Sequence, residues 1–185
     1  MEDGADLVAR AKGEARRLLE PLGARWRHVA GVGRTAERVA RVLPGRERPV
    51  LVAAAYLHDI GYAPELHRVG AHQLDGARWV SSHGPAYWRL ACLVAHHSES
   101  SFELARRGLL DELARYPRES SPVMDALVYC DLTTGPTGQR MSLDARVTEV
   151  LARYGPGLIS DALTEATPHL AAAVDRTEAR LNEAA

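Results

Sequence analysis

Three apolar runs of this chain end on groups that can hold a metal ion. AAAYLHD closes on His58 and Asp59, LACLVAHH on His96 and His97, and DALVYCD on Asp131. Polar groups at the end of a buried helical run sit at the edge of the core, where they are costly unless something pairs with them. Two more imidazoles stand near helix starts, His28 in RWRHVAGV and His72 in AHQLDGA. Neutral imidazoles mixed with carboxylates are donors for Mn, Fe, Co, Ni or Zn, with no need for thiolates. Adjacent helical residues point about 100° apart, so His58 and Asp59 share one ion only if the helix end points into the site. Alternatively Asp59 bridges two ions while His58 holds one.

The elements that must bring these groups together are helical. Ala, Leu, Arg and Glu dominate the chain, and alternation of β-branched or aromatic residues is sparse. The pattern predicts helices over about 3–20, 26–42, 49–60, 71–81, 85–97, 102–115, 122–132, 143–154, 161–165 and 168–182. Pro21 with Gly23, and Gly61 with Pro64, break the chain between them, while Pro49 and Pro168 suit first turns, the latter capped by Thr167. GVG at Gly31–Gly33 follows no predicted strand, so it is expected to serve close helix packing near His28. GPTGQR has turn glycines but no GK[ST] ending, so it is not a phosphate-cradling loop.

Composition narrows the class. The chain has 185 residues, 46% hydrophobic and 25% charged, with a net charge of −1, as expected of one soluble domain over 1–185. That charge gives no case for nucleic acid as a partner. The basic residues are nearly all arginine, Lys12 being the only lysine, so arginine abundance alone does not mark phosphate sites. Cys92 and Cys130 are too few and too far apart for a disulfide framework and are expected to be core thiols. No apolar run is long enough to span a membrane, and the acidic N-terminus lacks a signal-peptide core, so a cytoplasmic protein is expected.

RHVAGV, HDIGY, HQLDGA, VAHHS and YCDLTTG, in that order, resemble the HD-domain metal-dependent phosphohydrolase superfamily over roughly His28 to Asp131. The resemblance implies an all-α HD-domain helical bundle, with its motif core over about 25–135 and extra terminal helices, those at the C-terminus over 142–185. It implies that His28, His58, Asp59 and Asp131 hold one metal. His72 and either His96 or His97 would serve a second, giving one or two divalent transition metal ions. Gln73 stands where two-metal members have proline. HDIGY and HHSES depart from the HDIGK and HHE of the cyclic-dinucleotide branch, and no GYP follows.

The function implied is hydrolysis of a nucleotide or other small phosphate ester by a metal-bound hydroxide, with Asp59 and His58 at the catalytic centre. Arg34 and Arg38, beyond His28 on the same helix, are candidate phosphate grips, weighed against a solvated i,i+4 face. Thr134 is a candidate substrate contact by position and a turn residue by default. Relatives with the same six ligands hold two irons and activate O2, so a di-iron oxygenase is the first alternative. A non-catalytic binding or signalling module is the second. No single helix face stands out for a homo-oligomer.

Overall fold

The computed structural model describes residues 3–184; residues 1, 2 and 185 of the span expected to form one domain lie outside the described residues. It is all-helical, with no strand among the described residues and one isolated bridge between Thr134 and Arg140. The helices are α1 (Gly4–Leu19), α2 (Ala24–Val39), α3 (Arg48–Leu57), α4 (His72–Ser81) and α5 (Trp88–His96). They continue with α6 (Ser101–Arg106), α7 (Leu110–Leu113), α8 (Pro122–Leu132), α9 (Leu143–Tyr154) and α10 (Leu158–Glu183). No helix is long and apolar enough to cross a membrane.

α8 is the hub, because it is buried all round. Ten consecutive residues, Val123 to Leu132, are buried, as expected of a helix with neighbours on every side. It packs against α2, α3 and α10, and α1 packs on α3. α4 and α5 lie against each other, and α10 also covers α6 and α9. Each fully buried leucine, such as Leu51 in α3 or Leu127 in α8, contributes about 1.5–3 kcal/mol by leaving water.

Glycines set the closest approaches. A Cβ on Gly33 would lie 2.3 Å from the Tyr56 ring, and one on Gly31 would lie 2.5 Å from the Gly138 Cα. The GVG stretch therefore serves packing, as its sequence context indicates. It seats α2 against α3 on one side and admits the turn after Asp131 on the other.

Two expected helix boundaries are corrected. The segment expected at 102–115 is two short helices, parted at Gly108, whose φ of +69° leaves the helical region. The segments expected at 161–165 and 168–182 are one helix that runs through Pro168. Thr167 does not cap a new helix; its hydroxyl donates to the Leu163 carbonyl within the running one. Pro168 removes one backbone donor, while Ala166, Leu170, Ala173 and Val174 stay buried on either side of it, so packing holds the helix together. Trp88 is 45% exposed and stacks on Tyr116. Cys92 and Cys130 are both buried and free.

α10 is tied to α8 by charge as well as by packing. Asp125 accepts from Arg176 Nη2 at 2.7 Å, Arg176 Nε at 3.0 Å and Arg180 Nη1 at 3.1 Å. Burial alone would raise its carboxyl, but the two guanidinium groups outweigh burial and hold it below the ordinary 3.8. The stabilisation is therefore complete above that value and is lost as pH falls through the lower folded one. Arg176 is half exposed, which limits the clamp to about 1 kcal/mol. In urea unfolding, Asp125→Asn is expected to lower stability by that amount at pH 7, with the gap to the wild type closing as pH falls below 3.8.

Candidate metal centre

Helix ends converge as the apolar runs require. α3 stops at Leu57, so His58 is its cap and Asp59 leaves the helix, with φ −100° and ψ 10°. His72 opens α4 and His97 follows the last residue of α5. Asp131 sits in the last turn of α8, and His28 lies one turn into α2. They form two groups, His28 with His58 and Asp131, and Asp59 with His72 and His97. Within each group the ligand atoms all lie within 4.8 Å of one another.

Asp59 joins the two groups through its separate oxygens. Its Oδ2 lies 3.4 Å from His58 Nε2 and 3.8 Å from His28 Nε2, while its Oδ1 lies 3.4 Å from His72 Nε2 and 3.7 Å from His97 Nε2. Asp131 Oδ1 lies 3.0 Å from His28 Nε2 and 3.7 Å from His58 Nε2. Each oxygen of the aspartate therefore faces a different group.

Three imidazoles are locked from behind. The Nδ1 atoms of His28, His58 and His97 face the carbonyls of Gly135, Ala55 and Val94 at 3.2, 2.8 and 2.6 Å. A carbonyl only accepts, so each Nδ1 carries a proton and each Nε2 faces the site, where it can offer a lone pair to an ion once it gives up any proton of its own. The Gly135 carbonyl reaches His28 because Gly31 admits the following turn. His58 Nε2 is fully buried and makes no hydrogen bond. A polar atom left without a partner at that depth is costly, and a cation completes it. The donor set therefore fits divalent ions.

Charge in the site is balanced against burial. Burial alone would raise Asp59, yet Arg25 and then His58 outweigh it and hold the carboxyl well below its ordinary value. Burial opposes ionisation of Asp131 as well, and the His28 hydrogen bond with the His58 charge pulls it far down. For His58, burial is overcome by Asp59 and Asp131, which raise the imidazole to about 9. Burial dominates at His72, which stays neutral well below 6.5 despite Asp59.

Not every expected residue reaches the site. His96 turns away, its Nε2 2.6 Å from the Tyr116 carbonyl. α5 ends there, and the extended ψ of 150° at His97 redirects the chain, so only His97 faces Asp59. Arg34 and Arg38 are also outside the cavity beside the site. At about 100° per residue they stand about 240° and 280° round the helix from His28, and Arg38 bonds Thr35 instead. Thr134 is buried and donates back to the Cys130 carbonyl at 2.7 Å, closing α8 rather than facing a ligand.

Arg25, on the same helix, does reach the site. It precedes His28 by three residues, on the same face of α2. Its Nη1 donates to Asp59 Oδ2 at 2.5 Å, and its guanidinium lies 3.8 Å over the Tyr62 ring, which stacks on His72. The spacing was visible in the sequence; its significance was not.

Ser98 was not legible. It and Glu99 have φ of 53° and 54°, in the left-handed region that non-glycine residues avoid. The turn brings the Ser98 hydroxyl to donate to Asp131 Oδ2, leaving Oδ1 for His28. Ser98→Ala and Ser98→Gly both lose that contact, so each is expected to weaken metal binding by about 10–100-fold in competition titrations. Glycine also relieves the strained φ and should leave Ser98→Gly about 1 kcal/mol more stable than Ser98→Ala.

Compared with known families, residues 25–150, more than half of the chain, match the model of the HD domain. No curated protein and no solved structure matches the chain.

Proposed function

The chain belongs to the HD-domain family, and we propose that it is a metal-dependent phosphohydrolase acting on a nucleotide or other small phosphate ester. The observation that carries this is the Asp59 carboxylate, with one oxygen turned to each His-containing group. His28, His58 and Asp131 would hold one divalent ion and His72 and His97 another, with Asp59 common to both. Bound there, such ions supply Lewis-acid charge and lower the pKa of water near phosphorus.

The chain supports this chemistry in two ways. The carbonyls behind His28, His58 and His97 hold each Nδ1 protonated and turn each Nε2 toward the site. Arg25, held between Asp59 and Tyr62, is placed to donate to a phosphoryl oxygen.

The test is elemental analysis of protein purified without chelator, then a screen of phosphate monoesters and diesters with Mn, Fe, Co and Ni. Bound transition metal with metal-dependent phosphate release is the expected result. Iron content with oxygen consumption and no phosphate release would overturn the proposal in favour of an oxygenase.

A further inference from the structure

Arg38 and Arg41, at the end of α2, and Arg140, in the loop before α9, line a second cavity of about 730 Å³. The last turns of α10 close it, and it shares no lining residue with the cavity beside the His/Asp centre. All three arginines are exposed, and none makes an ion pair among the described residues. Arg38 Nη2 donates to Thr35 Oγ1 at 3.0 Å, so a hydroxyl stands where a carboxylate would otherwise pair it. Tyr129 of α8 lines the same cavity. It is 5% exposed, and its hydroxyl makes no hydrogen bond among the described residues. That oxygen is not sealed off as His58 Nε2 is; it opens into the cavity. Burial raises the hydroxyl above its ordinary value, against the pull of Arg140 and Arg38, so at neutral pH it keeps its proton and can donate.

Glu178 lies on the α10 wall of the cavity. Three guanidinium groups against one carboxylate leave a double positive charge, the match of a phosphate group that carries about −1.5 to −2 at pH 7. Guanidinium forks meet phosphate oxygens through paired hydrogen bonds, and Tyr129 adds a single directed one. Val39 and Leu181 add apolar surface, and the volume suits a small organic molecule rather than one inorganic ion. We infer that Arg38, Arg41, Arg140 and Tyr129 form a second binding site, for a small organic phosphate, separate from the metal centre. The site stands whether or not the metal centre is a phosphohydrolase.

The test is calorimetric titration of the full chain at low ionic strength, where exposed charges act most strongly. The probes are phenylphosphonate, whose C–P bond resists hydrolysis, and inorganic phosphate. The wild type is expected to bind the phosphonate more tightly than the phosphate. Arg38→Gln/Arg140→Gln is expected to weaken phosphonate binding about tenfold or more, at least one charge-assisted hydrogen bond's worth. Tyr129→Phe keeps the ring and is expected to weaken it about fivefold. Glu178→Gln removes the opposing charge and is expected to tighten it about two- to fivefold. A gain in affinity cannot come from a damaged fold. Phosphonate binding that the double substitution leaves within about twofold, or that Glu178→Gln does not tighten, would overturn the site. Inorganic phosphate bound as tightly as phenylphosphonate would overturn the organic ligand.

Discussion

Asp59→Ala is expected to lower metal-dependent turnover by about 10³-fold or more, the range seen when a group that organises transition-state charge is removed. The effect is large because one carboxylate serves both groups of ligands. Its loss leaves His28, His58 and Asp131 without a fourth donor and His72 and His97 without any carboxylate. The substitution also strands Arg25, whose side chain is largely buried against Asp59, at a cost of about 3 kcal/mol. Activity loss alone would therefore be ambiguous. The double variant Asp59→Ala/Arg25→Leu removes the stranded charge. It should regain most of the lost stability in urea unfolding and none of the metal content by elemental analysis. Full metal stoichiometry in either variant would refute the bridging role.

The second large effect is on folding. Gly61→Ala would place a Cβ 2.0 Å from the His72 carbonyl oxygen and 2.6 Å from the Gly76 nitrogen. Both are backbone atoms of α4, so no side chain can swing aside. Relief requires α4 to move, and α4 carries His72. We expect a loss of about 3–5 kcal/mol and, in whatever fraction folds, weaker binding at the Asp59–His72–His97 group first. A variant within about 1 kcal/mol of the wild type would show that α4 is not locked here. Gly76 answers from the other side, since a Cβ there would come within 3.2 Å of the Gly61 nitrogen. Asp75 holds the approach to α4 by accepting from the Val69 and Gly70 amides at 3.0 and 3.1 Å. HDIGY and HQLDGA thus act as two halves of one joint.

The convergence of His58, Asp59, His72 and Asp131 could be anticipated because each follows or opens a helix whose apolar run had to be buried. Periodicity fixes such placement where the helix is regular. It failed where the backbone leaves the helix. An ideal helix over 85–97 gives no reason to separate His96 from His97; the break at His96 separates them. Ser98 was out of reach because two successive left-handed residues without glycine have no sequence signature. Arg25 was within reach, since three residues before His28 is one helical turn. Arg34 and Arg38, on the C-terminal side of His28, are carried away from the site by the rotation of the helix. Pro168 misled in the other direction, because a local breaker was outweighed by packing on either side of it.

The depth of the ligand atoms has a consequence for time rather than affinity. His28, His58, Asp59 and His97 expose almost nothing to solvent, and Arg25, Tyr62 and His72 stand stacked against the bridging carboxylate. An ion seated behind them would leave only through the adjoining cavity, which His28, Asp59, His72, His97 and Asp131 line. A chelator small enough to enter that cavity would then strip the protein faster than a bulkier one of equal strength.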